Sequence, residues 1–285
     1  MLKLEQNVLK KLTGSGIYSP LRFKSSLSEM FHENTKLTPL SGRAYGQSIA
    51  RILRSASTKR LMASPYKVYN LMEQVELGRP VAQGELEKCI FARRSQRLYT
   101  GEAVSLQELS KLLFYSYGRT DQKGHFRAVA SGGALYPLEL YVAALNVDGL
   151  ERGIYHYNVE QHLLDVVRRD DFWQELKDCV WLSDIEEPEN AAMIVFITAI
   201  FERGTMKYQD RGYRLILMEA GEVAQNMSLM ATSLGLGALL LGGFIDNPLS
   251  NVLDVDGYDE APLLPIVIGR KPAAASTGDA SGERQ

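Results

Sequence analysis

Apolar positions recur at helical spacing three times in the first third of the chain. The stretches are "LEQNVLKKL" from Leu4, "YGQSIARILRS" from Tyr45 and "YKVYNLMEQVEL" from Tyr66. A period near 3.6 predicts helices there, and Gly14, Gly16, Pro20, Pro39 and Pro65 separate them. Residues 1–85 hold too few apolar positions for a core of their own. They are expected to form a helical extension that wraps the rest of the chain or a partner subunit.

The pattern changes near Leu86. "SLQELSKLLFYSYG" predicts a helix with a Ser105–Glu108 capping box, an apolar face of Leu106, Leu109, Leu112 and Leu113, and an exit at Gly118. Strands are predicted over 138–146, 153–157 and 163–167, joined by turn-forming "DG" and "NVEQ", which makes an antiparallel meander. "DDFWQELKDCVW" reads as a short helix with an acidic first turn. "AAMIVFITAIF" is apolar except at Thr198, as in a strand buried on both faces. The longest helix is expected from Tyr213 to Leu234, apolar around most of its girth and therefore central or at a subunit interface. Strands "LGALLLGGF" and "LLPIVIGR" flank a small helix at 246–254, and residues 272–285 are expected to be disordered. The order of elements is that of an α+β fold, with one main domain at 86–271 and no internal repeat.

A net charge of −2 supplies no field that would gather nucleic acid or an anionic membrane. Cys89 and Cys179 are the only cysteines and match no CxxC pattern, which argues against disulfide frameworks, zinc ribbons and iron–sulfur clusters. His32, His125, His156 and His162 show no metal-ligand spacing, and the last two read as structural, with no carboxylate partner nearby. No secretory signal is evident at the start. The run "MATSLGLGALLLGGF" is too short and too interrupted to span a bilayer, so the expected compartment is the cytoplasm.

Several segments hold groups that chemistry would use. Arg93, Arg94 and Arg97 with Ser95 suit a phosphate, because guanidinium forks match pairs of phosphate oxygens; a solvated basic face is the alternative. Ser131, Gly132 and Gly133 make a turn bare of side chains, where backbone N–H groups can approach a planar or anionic ligand. Gly242 and Gly243 repeat the device, and Arg270 with Lys271 closes the last strand. "GLGALL" lacks the third glycine of a dinucleotide fingerprint and follows a helix instead of opening one. "FERGTMKYQDRGYR" crowds Lys207 and Tyr208 against Arg211, Tyr213 and Arg214.

Taken in order, "ARRSQR", "ASGGALYPLELYV", "GLERGIYHYNVEQHLLDVV", "KYQDRGYR", "EAGEVAQNMSLMATSLGLGALLLGGF" and "VIGR" resemble the nitroreductase-fold flavoenzymes. Within these they resemble the SagB-type dehydrogenases, the thiazoline and oxazoline oxidases. The likeness covers about residues 86–271, and "FHENTKL" is similar to that branch's N-terminal region. It implies a central, mostly antiparallel sheet surrounded by helices, and FMN bound at the interface of a homodimer and touched by both chains. By the same resemblance Arg93 and Ser95 fall at the phosphate contacts with Arg97 at a second basic contact, Ser131 to Gly133 and Gly242–Gly243 beside the flavin ring, and Arg270 at a C-terminal basic contact. Ala130 stands where the family commonly has Pro.

The adjacent Lys207 and Tyr208 match the pair that azoline oxidases are held to use for proton removal. Aromatising a thiazoline requires loss of a ring proton as well as a hydride, so a base is needed. Either Lys207 is neutral, with its ionisation depressed by Arg203 and Arg211, or it stays cationic and activates Tyr208. Neighbouring residues diverge in regular structure, so an irregular loop is expected there. The implied activity is FMN-dependent oxidation of azoline rings in a peptide, with dioxygen as electron acceptor. The substrate would be ribosomal, or tethered to a carrier protein or synthetase. An NAD(P)H-dependent nitro or quinone reductase and a flavin-bearing scaffold subunit are the alternatives.

Overall fold

The computed structural model of the protein describes residues 26–63, 65–121 and 126–273. At its centre the alternating stretches pair into one six-stranded sheet of order β5-β4-β2-β6-β8-β7. The strands are β2 (Leu138–Ala144), β4 (Gly153–Asn158), β5 (Leu163–Arg168), β6 (Met193–Ile200), β7 (Leu236–Leu240) and β8 (Glu260–Arg270). Every neighbouring pair is antiparallel, and β2, β4 and β5 form the expected meander. A small parallel ladder joins β1 (Val104–Ser105) to β3 (Val147–Asp148).

Two-residue periodicity divides the core between the faces of the sheet. Leu138, Leu140 and Val142 of β2, with Met193, Val195 and Ile197 of β6, meet α5 (Leu106–Tyr117) and α8 (Asp210–Ser233). The alternate residues Tyr141, Ala143, Ile194 and Phe196 pack with Phe172, Leu176 and Leu249. These belong to, or adjoin, α6 (Trp173–Cys179) and α9 (Asp246–Val252). Thr198, the polar exception in β6, is buried and donates to Glu260 at 2.6 Å. The α5 capping box forms as expected. Helix α8 buries Ile216, Ala220, Val223, Ala224, Met227 and Ala231 on one side and leaves Leu217 and Met218 exposed on another.

The N-terminal region is helical only in part. It contains α1 (Leu27–Thr35), α2 (Pro39–Arg54) and α3 (Ala56–Met62), and α4 (Glu85–Ala92) opens the main domain. Helix α2 contains the predicted "YGQSIARILR", with Ser55 as its C-cap. The predicted helix over Tyr66–Leu77 is absent, and residues 65–84 run as irregular chain. An amphipathic helix is stabilised chiefly by burying its apolar face, and here Leu71 and Leu77 are 96% and 88% exposed. The helix predicted from Leu4 lies outside the described residues, as do His125 and nearly all of the 272–285 tail.

A second correction concerns residues 201–214. The expected loop is instead α7 (Phe201–Tyr208), which turns into α8 through the single residue Gln209 at φ +50°, ψ −142°. The two helices touch through glycines. A Cβ on Gly212 would lie 2.6 Å from the Gly204 carbonyl oxygen, and one on Gly204 would lie 2.9 Å from Ile216 Cδ1. Gly212→Ala must therefore move backbone. It is expected to cost about 1–3 kcal/mol in denaturant unfolding, whereas Gly221→Ala, with open space around the added methyl, should be neutral or stabilising.

Candidate active site

The turn between α5 and β2 carries Ser131, Gly132 and Gly133 at the end of the sheet where β6 passes into α7. Gly133 has φ +70°, and a Cβ placed on it would lie 2.6 Å from both Lys207 Nζ and Tyr208 Oη. The lysine and tyrosine thus converge on the bare side of this glycine. They do so from the last turn of a helix, without the irregular backbone that their adjacency led us to expect. Side-chain length closes the angle between them, and Lys207 Nζ lies 5.2 Å from the Tyr208 ring centroid. Lys207 is exposed and Tyr208 half-buried.

Beside them is a small recess of about 10 Å3 lined by Ser131, Gly132, Tyr208, Gly212, Leu215 and Glu219. Glu219 is 3% exposed. It accepts hydrogen bonds from Ser131 Oγ at 2.6 Å and Tyr117 Oη at 3.2 Å. Burial pushes its pKa up from 4.5 to about 7, against the opposing effect of those two bonds. Glu219 opens the quoted segment "EAGEVAQNMSLMATSLGLGALLLGGF", but the resemblance assigns it no role. The available signal was a lone carboxylate between Ile216 and Ala220 on the apolar stripe of α8.

Arg203 does not serve the pair in the way its sequence position suggested. Its guanidinium pairs with Glu139 and donates to the Tyr136 carbonyl at 3.3 Å. His156 approaches Glu139 at 3.0 Å and Asp165 at 3.5 Å; it is structural as expected, but it has carboxylate partners on both sides. Burial opposes the Glu139 charge, yet His156 and Arg203 together hold its pKa below the usual carboxylate value.

The remaining candidates lie elsewhere on the chain. Arg93 caps the C-terminus of α4, and Arg94 Nη1 turns back to the carbonyls of Phe91 and Arg93 at 2.8 and 2.7 Å. Ser95 forms a bridge with Ala238 of β7, and Arg97 is exposed next to it. At the far end of β7, Gly242 is open to solvent, while a Cβ on Gly243 would run into the Trp181 ring. Packing of Trp181 therefore accounts for Gly243. Arg270 bonds Glu108 Oε2 at 2.8 Å and the Ala103 carbonyl at 3.3 Å, holding the capped start of α5. Strands β2 and β7 are three places apart in the sheet, roughly 14 Å. One copy of the chain thus keeps the Lys207–Tyr208–Gly133 group and the Arg93–Gly242 group apart. Among the described residues no cluster could hold a metal ion, and no helix is long and apolar enough to cross a membrane.

Comparisons with known proteins agree with this architecture. A family model described as the nitroreductase family matches residues 90–270. MJ1384 of Methanocaldococcus jannaschii, which bears a nitroreductase name, is 42% identical over 189 residues, 66% of this chain and 91% of its own. The microcin B17-processing protein McbC of Escherichia coli is 31% identical over 165 residues, covering 56% of this chain and 60% of McbC, less than two thirds of that relative's length. One chain in the solved E. coli microcin synthetase McbBCD complex with truncated pro-MccB17 bound matches with a TM-score of 0.60. At 23% identity over 95% of this chain and 94% of that one, the likeness is one of fold.

The raised Glu219 pKa sets a stability profile. Its contribution is fully present below the unfolded value of 4.5 and is lost as pH rises through about 7. Glu219→Gln should remove that decline, leaving the variant more stable than the parent at pH 8 by on the order of 2 kcal/mol. Urea unfolding of both proteins across pH 4.5–8 checks this.

Proposed function

The chain belongs to the nitroreductase family, and on that premise we propose that it is an FMN-dependent oxidase that aromatises azoline rings in a peptide, with dioxygen as electron acceptor. Members of the family are oxidoreductases that generally bind FMN. The convergence of Lys207 Nζ and Tyr208 Oη on the open side of Gly133 carries the finer reading, because ring aromatisation needs a base at carbon as well as a hydride acceptor. The relation to McbC supports a peptide as substrate.

Residues fit the cofactor on two copies of the chain. Gly132 and Gly133 offer a surface without side chains, and Gly242 is open on the other group. The recess beside the pair holds only about 10 Å3, far below the roughly 300–1,000 Å3 usual for small-molecule sites, so on this reading a second copy completes the cleft. Leu217, Met218 and Leu240, 41%, 58% and 41% exposed, and the bare 65–84 arm are the apolar surfaces for that association. In such a homodimer, Arg93, Ser95 and Arg97 of one copy would hold the phosphate while Ser131–Gly133 of the other would back the ring. Arg94 and Arg270, engaged within the chain, support these segments from behind.

FMN, when bound, supplies the hydride acceptor. Lys207 and Tyr208 take the proton from the adjacent ring carbon, and the exposed Lys207 passes it to solvent. The alternative, a reductase of nitro compounds or quinones driven by NAD(P)H, has the name of MJ1384 behind it but gives the converging pair no task. A flavin-bearing scaffold leaves it equally idle.

Replacing Lys207 by Ala or Tyr208 by Phe should leave the protein yellow while slowing azole formation by at least about 100-fold. Mass spectrometry of a synthetic thiazoline peptide incubated in air, reading loss of two hydrogens, is the assay. Undiminished product from both variants removes the pair from the chemistry.

A further inference from the structure

The turn that presents Gly133 is an uncommon one. Gly133, Ala134 and Tyr136 have φ of +70°, +55° and +45°, and two of the three carry side chains that disfavour such backbone. A turn of this kind persists only where its surroundings over-determine it. Two of its later amides are held by hydroxyl oxygens: Tyr136 N donates to Ser131 Oγ at 2.9 Å and Leu138 N to Tyr117 Oη at 3.1 Å. Both hydroxyls in turn donate to Glu219, Ser131 to Oε2 and Tyr117 to Oε1. A hydroxyl that gives its one proton to a carboxylate keeps its lone pairs for an amide. One carboxylate on α8 therefore orients both.

We propose that Glu219 is the positioning residue of the site: through the Ser131 and Tyr117 hydroxyls it fixes the Ser131–Leu138 turn in the conformation that brings Gly132 and Gly133 against the bound ring. Glu219 acts through the two hydroxyls it accepts from and holds the wall of the cleft. The surrounding contacts leave that work to it. Arg127 stacks over the Tyr117 and Tyr136 rings at 4.5 and 4.7 Å from their centroids and holds Tyr136 by its ring and hydroxyl. Arg203 holds the Tyr136 carbonyl. Neither touches the Leu138 amide. The structural half of the proposal is independent of cofactor, and its consequence for the ring rests on the flavin reading above.

Amide hydrogen exchange on the purified full chain, with and without added FMN, separates the two halves. Glu219→Met keeps the volume but accepts from neither hydroxyl, and Glu219→Gln still accepts from one. Loss of such a bond should speed exchange by about 10-fold at the amide it held. The Met variant should lose protection at both Tyr136 and Leu138 and the Gln variant at one of them, with Tyr141–Ala144 of β2 unchanged. Ser131→Ala should release Tyr136 alone and Tyr117→Phe Leu138 alone. The FMN dissociation constant should rise in parallel. Unchanged exchange at both amides in the Met variant, or protection lost evenly through β2 in every variant, overturns the proposal. If the parent chain binds no FMN, the flavin reading fails, while the exchange pattern still decides the clamp.

Discussion

Two glycines in contact determine what this chain can present. Gly204 on α7 and Gly212 on α8 leave no room for a side chain between the helices. The chain therefore reverses in one residue, Gln209, whose N–H is used by the Thr205 carbonyl and whose own carbonyl accepts from Gly212. Because α7 follows directly from β6 and α8 lies over the core face of the sheet, that close reversal fixes where the last turn of α7 ends. It ends with Lys207 and Tyr208 above Gly133. A wider separation would carry both side chains away from the turn, and the recess between α7, α8 and the turn would open to solvent.

Charge is arranged around this hairpin so that little of it is left on the site itself. Arg203 is taken up by Glu139, which His156 also serves, and Arg270 by Glu108. Glu219 is buried against two neutral hydroxyls, with burial raising its pKa to about 7. A buried carboxylate kept without a basic partner at hydrogen-bond distance costs stability. Its retention is understandable where it specifies one conformation of a turn that three left-handed residues would otherwise leave poorly determined.

Much of the architecture was legible because it follows from period. Alternation in "LELYVAA" and "MIVFITAI" assigns each residue to a sheet face, and the Ser105–Glu108 box marks the start of a helix. Residues 66–77 misled for a physical reason: helical spacing of Val68, Leu71, Met72 and Val75 has no effect unless a surface covers it, and among the described residues all four are exposed. The Lys207–Tyr208 pair was visible, but its geometry was not, since the reach of two long side chains from a helix end is absent from an argument about Cβ directions. The packing partners of Gly243 and Arg270, Trp181 and Glu108, lie 62 and 162 positions away in sequence and were not legible. Long-range contacts of that kind are what a single sequence hides.

The central claim is that each flavin takes its phosphate contacts from one copy of the chain and its glycine turn, with Lys207 and Tyr208, from the other. Mixed dimers of Arg93→Glu and Gly133→Val chains test it most directly, because only one of the two clefts then holds both defects. The account predicts one tightly bound FMN per mixed dimer and none in either parent variant. Mixed dimers as empty as their parents would place both groups of residues on the same copy and contradict it.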